Sequence, residues 1–263
     1  MFLIKLLLLF CCLFFVLVFI RSSVIKTKRP ILLVIVRHGE SLRNELRNGN
    51  RYLNSEENSA IIKNVPDPKI PLTKLGKKQS LITGRVIREK FGYFDVVYDS
   101  GYLRTRETRE EIMRAYSSEE LAKTKIRSSH LIREREPGYA YNMTQEDVNK
   151  FFPYLDPYWK KYGPFYSRPP GGESQTDVCE RVYRFIGMLF SQRAGKKVLV
   201  ITHGGAMRAF RFNLEKWTAK DYEENFKSPE NCAVTAYRLN EKNGRMELEI
   251  LDEVFWTEED LRR

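Results

Sequence analysis

Two short apolar runs in this chain end in the same way. Residues 31–36 read ILLVIV and lead directly into Arg37-His38-Gly39-Glu40-Ser41. Residues 197–201 read KVLVI and lead into Thr202-His203-Gly204-Gly205. A continuous run of branched apolar residues has no polar face, so it suits a strand covered on both sides, as in a parallel sheet packed between helices. In open α/β sheets, ligands bind in the crevice beyond the carboxyl ends of the strands. Both histidines fall there. Each is followed by glycine, which lets backbone approach a ligand closely, and by a helix start, whose free N–H groups suit phosphate. A lone histidine at a strand end is ordinarily structural. Two of only three histidines in matching contexts, one beside Arg37, point to a shared site.

The rest of the pattern agrees with such a sheet. Ser41–Arg47 reads as a short helix and Asn48–Pro71 as a long polar loop. Thr73 is the predicted N-cap of a helix to Lys90, with Leu75, Leu81, Ile82, Val86 and Ile87 as its apolar stripe. Phe94–Tyr98 and Ile126–Leu131 read as strands flanking a charged helix at Tyr102–Tyr116. Ser174–Arg193 and Gly204–Glu215 read as helices, and Cys232–Asn240 and Glu247–Val254 as late strands. Strands alternating with helices predict a three-layer α/β/α sandwich with a mostly parallel central sheet. Residues 31–263 form one such domain. Residues 135–170 break the rhythm: ten aromatics fall between Tyr139 and Tyr166, too apolar for a disordered linker. They are expected to form a helical lid or insertion that shields the site.

The first thirty residues are of another kind. Leu6–Ile20 is an unbroken apolar run, and only Lys5 interrupts the first twenty residues. At about 1.5 Å per residue a helix of that length spans a bilayer. Residues 1–21 therefore read as an N-terminal hydrophobic helix, an anchor or a signal sequence, and residues 22–30 as a basic linker. Phe19-Ile20-Arg21-Ser22-Ser23 lacks the small-residue spacing of a cleavage site, which favours an uncleaved anchor. Arg21, Lys26, Lys28 and Arg29 outweigh Lys5, which puts the domain on the cytoplasmic side; cleavage would make it secreted or lumenal. Membrane attachment through residues 1–20 is thus expected.

Charge and composition exclude several classes. The chain carries 45 basic and 34 acidic residues. Five of the basic residues lie in the first thirty, leaving 40 against 34, or +6, for the domain. That surplus attracts anions in general. No nucleic-acid motif or basic stripe interleaved with aromatics accompanies it, so nucleic acid is not an expected partner. Four cysteines, two of them in the apolar leader, make no disulfide scaffold, and Cys179 and Cys232 read as buried thiols. No cluster has metal-ligand spacing, so no metal or other cofactor is expected.

Arg104 opens the helix after the Phe94–Tyr98 strand and, with Arg37, could complete an anion pocket. Arg106 and Arg109 point to other faces. From here the sequence resembles a known family. Arg37-His38-Gly39-Glu40-Ser41 with Asn44 is followed by Pro71-Leu72-Thr73 with Gly76 and Gln79. Then come the segment from Ser100 to Thr108, Leu131-Ile132-Arg133-Glu134, Gly172-Glu173-Ser174 and Thr202-His203-Gly204-Gly205. Together, over about residues 31–215, they resemble the histidine phosphatase superfamily, the phosphoglycerate-mutase-like group. The resemblance implies His38 as the nucleophile that becomes a phosphohistidine. It implies Arg37, Arg104 and His203 as the rest of the phosphate pocket and Asn44 as a flanking ligand, with Gly204 at the helix start. Glu134 matches the general acid/base; Glu136 is the alternative. Glu173 reads as a helix-start structural residue and His130 as incidental.

Three functions follow. The first is a phosphatase that hydrolyses a phosphomonoester without metal. The second is a phosphoglycerate-mutase-type transferase. Mutase members carry Trp before the Asn of the first motif and Glu-Arg-x-Tyr-Gly around the acid. Here these read Leu42-Arg43-Asn44 and Glu134-Arg135-Glu136-Pro137-Gly138, which favours the phosphatase. The third is a membrane-tethered module that binds phosphorylated ligands without turnover. The phosphorylated substrate's identity and the oligomeric state are not encoded in these motifs.

Overall fold

The structure is a computed structural model that describes residues 29–262; the predicted leader helix lies outside them. Six strands form one mixed sheet: β1 Leu32–Arg37, β2 Val96–Asp99, β3 Lys125–Ser128, β4 Lys197–Thr202, β5 Val234–Asn240 and β6 Arg245–Glu253. Their order is β3-β2-β4-β1-β5-β6. The first four are mutually parallel, while β5 and β6 run antiparallel at one edge.

Strand alternation sends side chains to two separate cores. Leu33 and Ile35 of β1 and Val198 and Val200 of β4 face one core, filled by Val178, Val182, Phe185 and Leu189 of the Gln175–Gln192 helix and by Met207 and Phe210 of the Gly204–Leu214 helix. Leu32, Val34 and Val36, with Leu199 and Ile201, face the other. There Ile87 and Phe91 of the Lys74–Phe91 helix and Ile112 and Met113 of the Leu103–Met113 helix cover them. β1 and β4 read as apolar on both faces because both faces are covered.

Several boundaries follow from capping chemistry. Thr73 caps the Lys74–Phe91 helix through the Gly76 amide, and Ser174 forms a capping box with Asp177. Only Ile87 of the apolar stripe expected on the Lys74–Phe91 helix is fully buried; Leu81, Ile82 and Val86 are half-buried. Leu75 is exposed, and the buried positions are Gly76, Gln79, Ser80, Thr83, Gly84, Ile87 and Phe91. Packing is too close there for large side chains: a Cβ on Gly76 would lie 2.0 Å from the Glu40 carbonyl oxygen, and one on Gly84 2.6 Å from the Ile112 backbone.

Two further expectations need correction. The 48–71 stretch contains a helix at Glu56–Ile62 and a 3-10 turn at Asp67–Lys69. Ile62 and Ile70 bury against Leu46 and Leu53 in a small separate core, which gives the segment its structure. The expected Ile126–Leu131 strand ends at Ser128, because His130–Ile132 turns as a 3-10 helix that Ser129 caps. The aromatic stretch forms helices at Gln145–Phe151 and Leu155–Tyr166. Phe165 anchors in the main core, while Leu155, Phe152 and Trp159 pack with Tyr52. No helix among the described residues is long and apolar enough to cross a membrane.

Candidate active site

Register brings the two histidines together. Arg37 of β1 pairs with Thr202 of β4, so the chain leaves both strands at one level. The His38 amide then donates to the Thr202 carbonyl at 2.9 Å. The imidazole rings meet edge to face with centroids 5.1 Å apart. Both are buried, 3% and 0% exposed. The Nδ1 of His38 lies 2.7 Å from the Gly39 carbonyl oxygen. A carbonyl only accepts, so Nδ1 carries the proton and the Nε2 lone pair is available. The Nε2 of His203 lies 2.8 Å from the Ser100 hydroxyl, and its buried Nδ1 has no partner among the described residues.

Both imidazoles are held neutral well below the ordinary histidine pKa. Burial is the largest cause, and the Arg104 charge is the second for each; Arg37 then acts on His38, and His38 itself on His203. Taking a cation out of water beside fixed guanidinium groups is unfavourable twice over.

A cavity of about 380 Å³ opens on His38. Arg37, Asn44, Arg104, Glu134 and Gly204 also line it. Arg37 is fixed by donating to the Pro229 carbonyl, while its buried Nε has no partner among the described residues. Arg104 is 4% exposed, and its fork is engaged. It donates to the Asp67 carboxylate at 2.9 and 3.3 Å and to the Asp67 carbonyl at 2.8 Å. The expected phosphate fork is therefore already held by a carboxylate from the 3-10 turn. The side-chain oxygen of Asn44 accepts from the Ser41 amide and hydroxyl and from Asn231, so the residue also builds the site as a helix cap.

Glu134 enters from the segment after the His130–Ile132 turn. Its Oε1 accepts from the Arg135 amide at 2.8 Å and the Gly205 amide at 3.2 Å. Gly205 has to be glycine for this approach, since a Cβ there would lie 2.6 Å from that oxygen. The alternative acid, Glu136, does not line the cavity; burial pushes its carboxyl pKa up.

Sequence reasoning missed what holds Glu134 in place. The Arg181 guanidinium donates to the carbonyls of Leu131 and Arg133 at 2.9 Å, of Glu134 at 3.0 Å, and to the Glu173 carboxylate. Glu173 also takes the Arg133 side chain and the Glu136 amide, which makes it the structural residue expected. A signal for Arg181 existed: it is a cation between Val178 and Phe185 on the buried stripe of the Gln175–Gln192 helix. Asp67 had no such signal, and Ser100 had only its place at the start of the Ser100–Thr108 segment of the resemblance.

Arg109 pairs with the buried Asp99, and His130 is exposed, both away from the cavity. Cys179 and Cys232 are buried free thiols, with pKa values pushed up by burial to about 12 and about 11. The expected shielding of Glu134 by the aromatic stretch takes another form. Trp159 lines the cavity, but the Arg51 and Arg135 guanidinium groups lie over its ring at 4.7 and 5.4 Å. Donor atoms of His38, Glu134 and His203 lie within 4.8 Å of one another, close enough for a metal ion. The Arg37 and Arg104 charges that act on these imidazoles would repel a cation and favour an anion.

Sheet and site together define an α/β protein with a cationic, histidine-based cavity at the carboxyl edge of its parallel strands. The sequence model of the histidine phosphatase superfamily, branch 1, matches residues 33–250, and the chain belongs to that superfamily. It is 29% identical over 210 residues to a 2,3-bisphosphoglycerate-dependent phosphoglycerate mutase of Rhizobium etli, covering 79% of this chain and 90% of that one. It is 26% identical over 221 residues to the phosphoglycerate mutase-like protein AT74H of Arabidopsis thaliana, covering 75% and 70%. Among solved structures, the alpha-ribazole phosphatase of Shigella flexneri shares the fold with a TM-score of 0.65 at 19% identity, over 84% of this chain and 96% of that one.

Proposed function

We propose that the protein is a phosphomonoesterase that works through a phosphohistidine on His38. The observation that carries this reading is the buried, neutral His38, its Nε2 available in one cavity with Arg37, Arg104 and Glu134. In the first step Nε2 attacks phosphorus in line, the bond to the ester oxygen breaks, and Glu134 donates a proton to the leaving oxygen. In the second, Glu134 takes a proton from water, the hydroxyl attacks phosphorus, the P–N bond breaks and orthophosphate leaves. Arg37 and Arg104 hold the equatorial oxygens, with Arg104 sharing or exchanging Asp67 for the phosphoryl group. Asn44 and the amide of Gly204 flank them. The single proton of the Ser100 hydroxyl faces both Thr105 Oγ1 and Nε2 of His203; given to Nε2, it leaves the ring proton on Nδ1, which has no partner among the described residues and can then offer it to the phosphoryl group. The arginines supply the positive charge that this chemistry requires, so the mechanism runs without a metal.

The mutase reading is the second, because the relatives above carry that name. Against it stand Arg43 and Pro137, which occupy the positions of the Trp and Tyr of the mutase motifs and line the cavity. One experiment separates the three readings. A ³²P-labelled phosphate ester is quenched in alkaline denaturant, where phosphohistidine survives, in wild type and His38→Ala. A phosphatase labels wild type only and releases orthophosphate; a mutase labels it and returns the phosphoryl group to an ester; a binding module labels neither. We propose further that the apolar run of residues 1–20 attaches the protein to a membrane and that Arg21, Lys26, Lys28 and Arg29 after it keep the domain in the cytoplasm. Resistance to alkaline carbonate extraction tests the anchor; Asn142-Met143-Thr144 is a glycosylation sequon, and glycan on Asn142 would place the domain in the lumen instead.

A further inference from the structure

The cavity holds far more positive charge than one phosphoryl group uses. Besides Arg37 and Arg104, it is lined by Arg43, Arg47, Arg51, Arg135 and Arg208, and only Asp67 and Glu134 oppose them. Seven arginines less two acids is +5. The whole of residues 31–263 carries +6, so nearly all of the domain's surplus sits in this one cavity.

None of the five additional arginines forms an ion pair with a carboxylate among the described residues. Oxygens of uncharged groups and aromatic rings position them instead. Arg43 donates to the Tyr141 carbonyl and lies 4.6 Å over the Tyr141 ring. Arg47 donates to the Asn50 carbonyl, and Arg208 to the Tyr222 hydroxyl. Arg51 and Arg135 share the ring of Trp159. The buried Nη1 of Arg135 and Nε of Arg43 have no hydrogen-bond partner among the described residues. The like charges also act on one another. After burial, Arg43 and Arg37 are the next causes that hold Arg47 down to about 10. Rings and neutral oxygens fix a guanidinium's position without cancelling its charge, which leaves that charge for a ligand.

A phosphate monoester dianion against +5 leaves about +3, and a second phosphoryl group brings the remainder to about +1. The volume, about 380 Å³, also exceeds what one phosphoryl group fills and lies in the range of small-molecule sites. We infer that the five arginines form a second anion site in the same cavity, and that the substrate is a polyanion, an ester bearing at least one phosphoryl group besides the one transferred to His38. The substrate class rests on the phosphatase reading; the anion site itself does not.

The test is a binding measurement that needs no turnover. The full-length protein is titrated by calorimetry with orthophosphate, pyrophosphate and tripolyphosphate at fixed ionic strength. Tripolyphosphate is expected to bind at least tenfold more tightly than orthophosphate. In Arg47→Gln/Arg51→Gln, and separately in Arg208→Gln, that ratio should fall several-fold toward one. Circular dichroism confirms that each variant is folded. Equal affinities in wild type, or a ratio that survives both sets of substitutions, overturns the second site. A parallel assay compares kcat/KM for butane-1,4-diol bisphosphate and butyl phosphate, with at least a tenfold preference for the bisphosphate expected. Tight tripolyphosphate binding with no hydrolysis of either ester keeps the anion site and removes the enzymatic reading. Equal hydrolysis of both esters removes the substrate class.

Discussion

Lowering the pH from 7.5 to 5.5 should weaken the ligand-free fold by up to about 3 kcal/mol through His38 and His203 alone. In the unfolded chain each imidazole titrates near 6.5, whereas in the folded protein burial, then Arg104, hold it well below that value. Between those two values the unfolded chain binds more protons than the folded one. Stability is therefore complete above about 6.5 and is lost as the pH falls below it. A ring that stays neutral in the folded state over this range contributes between about 1 and 2 kcal/mol to the loss. Urea unfolding at the two pH values measures it as a midpoint shift of about 1 M for a slope of about 2–3 kcal/mol per M. The His38→Gln/His203→Gln double variant removes both groups and leaves every carboxylate in place, so it reports the background. The wild type should lose up to about 3 kcal/mol more than this variant. If the two lose stability equally, the imidazoles are not held neutral and the account of the nucleophile fails with them.

Three other perturbations separate the parts of the site. Glu134→Gln should lower kcat about 10²- to 10⁴-fold for an alkyl phosphate, whose leaving oxygen needs a proton. The rate of phosphoenzyme formation from p-nitrophenyl phosphate should change far less; equal losses in a rapid-quench comparison would show that Glu134 is not the proton donor. Arg181→Met leaves the half-buried Glu173 with the Arg133 side chain and the Glu136 amide, takes the donor from the carbonyls of Leu131, Arg133 and Glu134, and should cost about 1–3 kcal/mol in denaturant unfolding. A loss below about 1 kcal/mol would show that the Glu134 segment holds itself in place. Asp67→Asn removes a negative charge from the Arg104 fork and should tighten orthophosphate binding about three- to tenfold by calorimetry. Weaker binding would mean that orientation of Arg104 by Asp67 outweighs competition from it.

What could be read in the sequence was local. The β1 and β4 strands, their terminal histidines and the Thr73 and Ser174 caps each depend on residues within a few positions of one another, and the structure has them where the pattern put them. The Lys74–Phe91 helix was located correctly, but of its expected apolar stripe only Ile87 is fully buried. Hydrophobic periodicity assumes that burial selects large apolar side chains, while this face was selected for closeness, with Gly76 against Glu40 and Gly84 against Ile112. Asp67 on Arg104, Ser100 on His203 and Arg181 around Glu134 join positions 37, 103 and 47 or more residues apart. A single sequence carries no mark of such pairs.

The same limit explains why a modest surplus of +6 concealed so uneven a distribution. β1 leads through Gly39 toward the Lys74–Phe91 helix on one face of the sheet, while β4 leads straight into the Gly204–Leu214 helix on the other. Chains that leave adjacent parallel strands toward opposite faces open a crevice between them. Arg37 reaches that crevice from β1, Arg104 from the helix after β2, Arg135 from the segment after β3 and Arg208 from the helix after β4. Each is one more basic residue in its own segment. They become a single field only because the sheet points four connections at the same place. Asp67 pairs with Arg104, but Arg37, Arg135 and Arg208 have no carboxylate partner among the described residues, and holding them together lowers the stability of the free protein through like-charge repulsion. The arrangement is favourable to the extent that an anion of comparable charge occupies it. The unpaired arginines are thus better evidence about the ligand than the total charge, which would be the same if every one of them were neutralised at the surface and the excess lay elsewhere.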